Sequence, residues 1–452
     1  MSGEQFVNLW ARIVDIVNQV AWEFDERWRK RKRKLDSKFL ILFILRLVLS
    51  KNKQGYGSIL EEIWENNSDE QFPTMIAKPV CASSVCEARQ KLDESIFQEL
   101  NDRVIITWEQ EVDESNMWHG HRLFAVDGSK INLPRQLLDY GYQLPSSNAY
   151  YPQGLVSCLY QLKSQIPTDF MLVNHGNERI CAQSHLQTRA KDDIVVYDRG
   201  YLSYLLLYIH IEHQIHCIFR LQQGQTFTAI KQFWDSKDKD SVVMINPSKT
   251  TIREIKKQYP EIKVKPLKFR LIKYTIEGTT YCLGTTLISE KYPQHIFPDV
   301  YHARWGIEEL YKISKIHIDV EDFHSKSERG VKQELYAHFF IITAARIFEN
   351  KAYYNIYKDK TCKDASKYKK KNLPQKEESI KINFKNCLLV IGRSLEKIFF
   401  QVPYEIIQKT IDRIVDSISR LNQKIRPGRH YPRQSRKPIK KWQGRKKVAD
   451  KT

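Results

Sequence analysis

Residues 301–315, YHARWGIEELYKISK, place a phenol, a guanidinium, a carboxylate and an amine at Tyr301, Arg304, Glu308 and Lys315. The steps between them are three, four and seven residues. A helix turns about 100° per residue, so Arg304, Glu308 and Lys315 fall at about −60°, −20° and −40° from Tyr301, on one narrow stripe. Ala303, Ile307 and Leu310 lie on the far side, where they can pack inward. The plain structural alternative is a solvated amphipathic face, with Glu308 and Lys312 as an ordinary i,i+4 pair. The stripe acquires a specific chemistry only if further acids are brought to it.

Two aspartates are candidates. Asp127 ends the apolar run in HRLFAVDGS, and Asp198 ends that in DDIVVYDRGY. The separations along the chain are 198 − 127 = 71 and 308 − 198 = 110 residues. Each has an unremarkable explanation: Asp127-Gly128 suits a type I′ hairpin turn, and Asp198 suits a cap on the helix that follows. Taken together they read differently. If the first and fourth strands lie side by side, the two aspartates converge, and a later helix crossing that edge can add Glu308. Three clustered carboxylates repel one another, and hydrated Mg²⁺ supplies the compensating charge. Hard oxygen ligands with open positions suit two Mg²⁺ ions about 4 Å apart, with Mn²⁺ as a substitute. Such a pair activates water or a 3′-hydroxyl and stabilises the leaving oxygen in phosphodiester transfer.

Composition agrees with a nucleic-acid partner. The chain has 452 residues, enough for several domains, and 42% hydrophobic residues, a globular content. Lys and Arg number 73 against 53 Asp and Glu, a formal charge of +20, which favours a polyanion. A membrane is the weaker candidate. The longest apolar run, FLILFILRLVLS at 39–50, is interrupted by Arg46 and falls short of the roughly 20 residues a span needs, so it reads as a buried helix. The basic run RWRKRKRK at 27–34 lies too deep in the chain for a signal peptide, with no small-residue cleavage site after it. It is expected to contact DNA. The eight cysteines are dispersed without metal-ligand spacing, which reads as reduced core thiols of a cytoplasmic protein rather than a zinc site.

The elements that must position the acids can be read in order. Residues 1–118 look all-helical, with SSVCEARQKLDESIFQELNDRVI carrying a candidate N-cap at Ser83 or Ser84. From 119 to 221 the pattern gives a strand, a turn at Asp127-Gly128 and a second strand. The strands GLVSCLYQL and FMLVNHG follow, then helix, strand, helix, strand. Residues 222–290 interrupt this order with a β-rich insertion. It includes a hairpin turning at Glu277-Gly278, whose first strand is expected to present Lys263, Lys265, Lys268 and Arg270 as a basic row. Residues 291–350 hold the Glu308 helix and a buried helix after it. A Lys-rich loop at 350–376 leads to a pair of C-terminal helices spanning about 380–424, within a segment 351–425, and the basic tail is 426–452. The fold class is therefore α/β, with a mixed-sheet core, a β-rich interruption, an all-α N-terminal module and C-terminal helices.

The chain resembles the DDE transposases of the insertion-sequence-4 family. Y-x(2)-R-x(3)-E-x(6)-K matches at Tyr301, Arg304, Glu308 and Lys315, AVDGS matches around Asp127, and DRGY matches at Asp198 to Tyr201. The basic RHYPRQSRKPIKKW near the C-terminus also resembles the family's tails. The likeness spans about 120–442. It implies an RNase H-like core with Asp127, Asp198 and Glu308 as catalytic metal ligands. Tyr301, Arg304, Lys315 and Arg199 are implied as DNA contacts, and Tyr281, from the insertion, as the aromatic that stacks on a displaced base, with Trp234 its rival. It implies a cut-and-paste transposase that pairs two terminal inverted repeats as a homodimer, cleaves through a hairpin and joins the ends to target DNA. Such a protein is cytoplasmic, and nucleoid-associated when bound. The alternatives are an RNase H-like structure-specific nuclease without strand transfer, and a domesticated DNA-binding protein. The intact carboxylates count against the second.

Overall fold

Five helices precede the first strand in the computed structural model, which describes residues 1–28, 35–50, 54–66, 79–111, 117–224, 227–367, 380–400 and 404–424. They are α1 (Gly3–Trp28), α2 (Ser37–Leu49), α3 (Tyr56–Glu65), α4 (Ala82–Lys91) and α5 (Ile96–Glu109). The apolar run is α2, capped by Asp36, whose carboxylate accepts the Phe39 N–H at 2.8 Å. Arg46 within it pairs with Glu396 and donates to the Gly392 carbonyl at 2.9 Å, so the charge that broke the run is neutralised by a helix from the other end of the chain. The expected cap at Ser83 or Ser84 is not used: α4 starts at Ala82, after Cys81, without a side-chain cap. Arg27 and Trp28 of the basic run end α1, and 29–34 lie outside the described residues.

β1 (Leu123–Asn132) runs unbroken through Asp127 and Gly128, so the expected turn there is absent. The reason is lateral pairing. β2 (Gln153–Gln161) binds the whole of β1 antiparallel, with Asp127 opposite Cys158 and Gly128 opposite Ser157, which holds both residues extended. β3 (Ile166–Val173), α6 (Glu178–Leu186), β4 (Ile194–Tyr197), α7 (Tyr204–Glu212) and β5 (His216–Leu221) follow as the pattern predicts. β4 pairs parallel with β1, and β5 parallel with β4.

Residues 222–290 add α8 (Thr228–Asp235), β6 (Asp240–Ile245), α9 (Lys249–Gln258), β7 (Leu267–Ile276) and β8 (Thr279–Thr285). Their strands continue the same sheet, giving eight strands in the order β3-β2-β1-β4-β5-β8-β7-β6. This is the mixed α/β, RNase H-like architecture expected. The β7–β8 hairpin turns at Glu277-Gly278, both at positive φ (48° and 77°), as a two-residue turn of this hand requires. The expected basic row does not form. Arg270 is buried, ion-paired with Asp240 at 2.5 Å and hydrogen-bonded to the Tyr292 carbonyl at 2.8 Å.

Both faces of the sheet are covered, and strand alternation sorts residues between them. Phe124, Val126, Val195 and Tyr197 share one core layer with Ala182 of α6 and Leu206 of α7. Leu123, Ala125, Ile194 and Val196 share the other with the N-terminal helices and the helices that come next. Those are α10 (Phe297–Ala303), α11 (Trp305–His317), α12 (Glu328–Lys367), α13 (Phe384–Arg393), α14 (Leu395–Phe399) and α15 (Tyr404–Arg420). A small ladder of β9 (Ile380–Ile382) and β10 (Asn422–Lys424) ties their ends. The loop expected from 350 is helix as far as Lys367, because α12 continues through a stretch of Lys, Ala and other helix-compatible residues. The remainder of that loop and the basic tail lie outside the described residues. Trp10 of α1 meets Phe348 of α12 at 4.4 Å and donates to the Ile398 carbonyl at 2.7 Å, so N- and C-terminal helices share one core. Cys158, Cys181, Cys217, Cys282 and Cys387 are buried free thiols, while Cys81 and Cys86 are exposed ones. Among the described residues no helix is long and apolar enough to cross a membrane.

Two histidines are buried without charge compensation. Burial pushes both His210 and His338 down to about 3. They stay neutral in the fold, whereas in the unfolded chain they protonate near pH 6.5. The unfolded state therefore binds more protons below about pH 6.5, and stability falls as pH drops from there, by at most about 1.4 kcal/mol per unit per histidine. The Nε2 of His338 has no hydrogen-bond partner, so His338→Leu sacrifices little there. Denaturant melts between pH 7 and pH 5 should show a shallower loss of stability in His338→Leu than in the wild type; equal slopes would mean that His338 is not the titrating group.

Candidate active site

The β1–β4 register pairs Ala125 with Val196, and two further steps bring Asp127 level with Asp198. Odd positions of β1 and even positions of β4 face the layer that contains α11, so the two aspartates continue onto that face. Ile307, Leu310 and Ile313 of α11 are buried against it, which places Glu308 above the strand ends. The hydroxyl of Tyr311 fixes this docking by donating to the carbonyls of Asp127 (2.8 Å) and Val156 (3.2 Å).

The four-residue stripe is distributed over two helices. Arg304 is the joint between α10 and α11, where the Arg304 N–H bonds the Tyr301 carbonyl and the Ile307 N–H bonds the Arg304 carbonyl, both at 3.1 Å. These i→i+3 bonds tighten the turn. Ile307 and Leu310 pack inward as expected, but Ala303 is exposed and Arg304 is only 4% exposed. The guanidinium of Arg304 lies among the acids, at 2.5 Å from Glu308 Oε1 and 3.9 Å from Asp127 Oδ2. The expected Glu308–Lys312 pair is replaced by this one, and Lys312 pairs with Glu309 at 3.1 Å. Tyr301 is 6% exposed and donates its hydroxyl to Asp198 Oδ1 at 3.0 Å. Lys315 donates to the Lys130 carbonyl of β1 at 2.6 Å. Arg199 is exposed, and its backbone N–H points to the Asp198 carboxylate.

The electrostatics of the two aspartates differ. Burial pushes Asp127 up to about 6, against the pull of the Gly128 N–H (3.0 Å) and Arg304, while Glu178 and Glu308 add to the rise. Burial acts upward on Asp198 too, but the Arg199 N–H, Arg304, the Tyr301 hydroxyl and Arg220 together leave it below the usual carboxylate range.

Tyr281 lies on β8, in the same alternation as Leu283, which belongs to the layer on the site's side of the sheet. It stacks on Tyr274 at 5.5 Å, with the Arg220 guanidinium 5.1 Å from its ring. Trp234 packs in the opposite layer, away from this face.

Three residues escaped sequence reasoning. Tyr311 lay inside the motif but looked like ordinary core. Arg220 sits on a strand with no distinguishing pattern. Glu178, the first residue of α6, comes within 2.8 Å of where a Gly128 side chain would begin, so the glycine beside Asp127 makes room for a fourth carboxylate from the other face. A Ser157–His185–Asp169 chain (3.0 and 2.7 Å) is arranged like a nucleophilic triad. Ser157 and His185 are fully buried, so it serves to hold α6 on the sheet.

A sequence profile of the transposase DDE domain matches residues 118–344, half of the chain. The chain belongs to the family of DDE-domain transposases. The matched segment contains Asp127, Asp198 and Glu308 in that order. Among solved structures, a piggyBac transposase synaptic complex with hairpin DNA is similar at 10% identity and a TM-score of 0.40, over 91% of this chain and 85% of that one. No curated protein sequence matches. DDE transposase domains generally use divalent metals, and the donor chemistry fits one. Asp127, Asp198 and Glu308 are hard carboxylates of the kind such an ion takes, but among the described residues no three acids, histidines or cysteines are grouped closely enough to hold one, and the Arg304 guanidinium lies between Asp127 and Glu308.

Tyr311→Phe should destabilise the protein by about 1–2 kcal/mol, because two buried carbonyls lose a donor. It should also lower transposase activity about tenfold or more, because Glu308 shifts relative to β1. Denaturant melts and a single-turnover assay check both. Lost stability with unchanged activity would make Tyr311 a packing residue only.

Proposed function

We propose that this chain is the transposase of a bacterial insertion sequence of the insertion-sequence-4 type, acting on DNA by cut-and-paste. Its catalytic metal ligands are Asp127, Asp198 and Glu308. What supports this reading is that Asp127 of β1 and Asp198 after β4 lie level on two neighbouring central strands, with Arg304 reaching both Asp127 and Glu308 of α11, all within the matched transposase segment. The spacing of Tyr301, Arg304, Glu308 and Lys315 supports the family assignment, and the charge of +20 supports a DNA partner. Two Mg²⁺ ions, with Mn²⁺ able to replace them, would supply Lewis-acid activation of the attacking hydroxyl and stabilise the leaving oxygen.

The chain's own residues do the positioning. The Tyr301 hydroxyl and the Arg199 N–H hold Asp198, and the Gly128 N–H holds Asp127. We assign Arg199, Arg304 and Lys315 to the phosphates of a DNA end; such contacts set register rather than read sequence. The enzyme binds terminal inverted repeats, pairs two ends as a homodimer, cuts one strand at each end and uses the freed 3′-hydroxyl on the opposite strand. We assign end binding to the helical residues 1–118 and to the basic tail 426–452, the core to 119–221 with 291–350, and the insertion to 222–290.

The test is incubation of linear DNA carrying the element's ends with Mg²⁺, followed by mapping of breaks and joints. Staggered or hairpin breaks at the ends, with joining to target, are expected. Cleavage without joining would make the protein a structure-specific nuclease, and binding without cleavage a DNA-binding protein. Asp127→Asn, Asp198→Asn and Glu308→Gln should each abolish cleavage and leave end binding nearly intact. A variant that cleaves at near wild-type rate would exclude that residue as a ligand.

We assign Tyr281 as the aromatic that receives a displaced base. Base–aromatic stacking contributes about 1–3 kcal/mol. With Tyr281→Ala, nicking should persist while hairpin formation drops by roughly an order of magnitude or more. An abasic site near the end should partly restore it. Equal loss of both steps with a lowered melting temperature would mean that the ring only packs on Tyr274 and Arg220.

A further inference from the structure

Arg304 is the least expected part of the site. A residue whose spacing suggested a solvent-facing phosphate contact is instead 4% exposed. Its Nη2 bonds Glu308 at 2.5 Å, its Nη1 lies 3.9 Å from Asp127, and its charge also acts on Asp198. Its Nε is buried without a hydrogen-bond partner, and the Tyr301 ring stands 5.6 Å away. Besides Arg304, the Gly128 N–H favours the charged form of Asp127. Among the described residues no three acids, histidines or cysteines are grouped closely enough to hold a metal ion. The positive charge that would draw the carboxylates together is supplied here by the guanidinium.

A divalent cation and this guanidinium answer the same need. Each neutralises the same carboxylates, and each repels the other at close range. A guanidinium is weakly hydrated and tolerates partial burial, so it can occupy such a place when metal is absent. Its imperfect fit, with Nε unpaired, leaves it with something to gain elsewhere.

We propose that Arg304 is a stand-in cation: it holds the carboxylate set together in the metal-free protein, leaves it when divalent metal binds, and takes a DNA phosphate as its new partner. The proposal rests on the metal-site reading above and adds a coupling to it. Because linkage is reciprocal, a phosphate that draws Arg304 away strengthens metal binding, and metal that expels Arg304 strengthens phosphate binding. The site is then poorly loaded with metal until a DNA end arrives, which restrains stray hydrolysis by the free protein.

The experiment measures Mn²⁺ binding to the full chain by equilibrium titration, without and with a short DNA duplex. It compares the wild type with Arg304→Met, Arg304→Lys and Asp127→Asn. Without DNA, Arg304→Met should bind Mn²⁺ about tenfold more tightly than the wild type, with Arg304→Lys between them. In chelator Arg304→Met should melt at a lower temperature than the wild type, and Mn²⁺ should raise its melting temperature by more. Mn²⁺ binding by Arg304→Met that is equal to or weaker than wild type would overturn the proposal. If Arg304→Met does not fold, the wild type and Arg304→Lys decide. Duplex should raise wild-type Mn²⁺ affinity above the background set by Asp127→Asn, and Arg304→Lys should bind more tightly than wild type without it. Failure of either overturns the proposal. If the wild type and both Arg304 variants bind no more Mn²⁺ than Asp127→Asn, with or without duplex, the metal-site reading itself fails.

Discussion

Carboxylates set over the adjacent central strands β1 and β4 have to be compensated by positive charge, and the neighbourhood of the site is organised around that requirement. Arg304 supplies the charge from inside the protein, Tyr301 and backbone N–H groups supply hydrogen bonds, and burial sets how strongly each is felt. The two aspartates respond differently because their surroundings differ. Asp127 is more deeply buried and lies nearer other acids, while Asp198 is met by more donors and positive charges.

The carboxylates meet because of pairing and alternation. β1 and β4 lie parallel and adjacent, which brings residues 71 apart in sequence to the same level, and the two-residue period of a strand puts both on one face. β2 holds β1 extended through the Asp-Gly pair, and Tyr311 fastens α11 across both strands. The insertion serves the same sheet: β8 pairs with β5 and so brings Tyr281 beside Arg220, whose charge reaches Asp198.

Behind the sheet, α12 is the shared support. N-terminal helices pack on it from one side and C-terminal helices from another, and the buried Arg89–Glu334 pair (2.7 Å) fastens α4 to its first turns. Glu334 also accepts the N–H groups of His324 (2.8 Å) and Ser325 (3.0 Å), in the connection that follows α11. The connection that follows the Glu308 helix is thereby tied to a buried charged network shared with α4.

The sequence by itself determined much of this. The apolar runs, their alternation and the order of strands and helices followed from side-chain type and period, and the acids stood out because charge at the end of a core strand demands an explanation. The Glu277-Gly278 turn and the burial of the 39–50 run were legible for the same local reasons. What depended on partners distant in the chain was not legible. Asp127-Gly128 has the composition of a turn, yet β2 pairs across it and holds it straight. Lys and Arg residues around β7 look like a basic face, yet Asp240 and two carbonyls draw Arg270 inward. Arg304 has the spacing of a surface stripe, yet a tightened joint and two acids make it a buried counter-charge. Local pattern reports the preferences of a residue and its neighbours within a few positions. Which charge meets which, and which strand lies beside which, is decided by long-range pairing that only the folded chain contains.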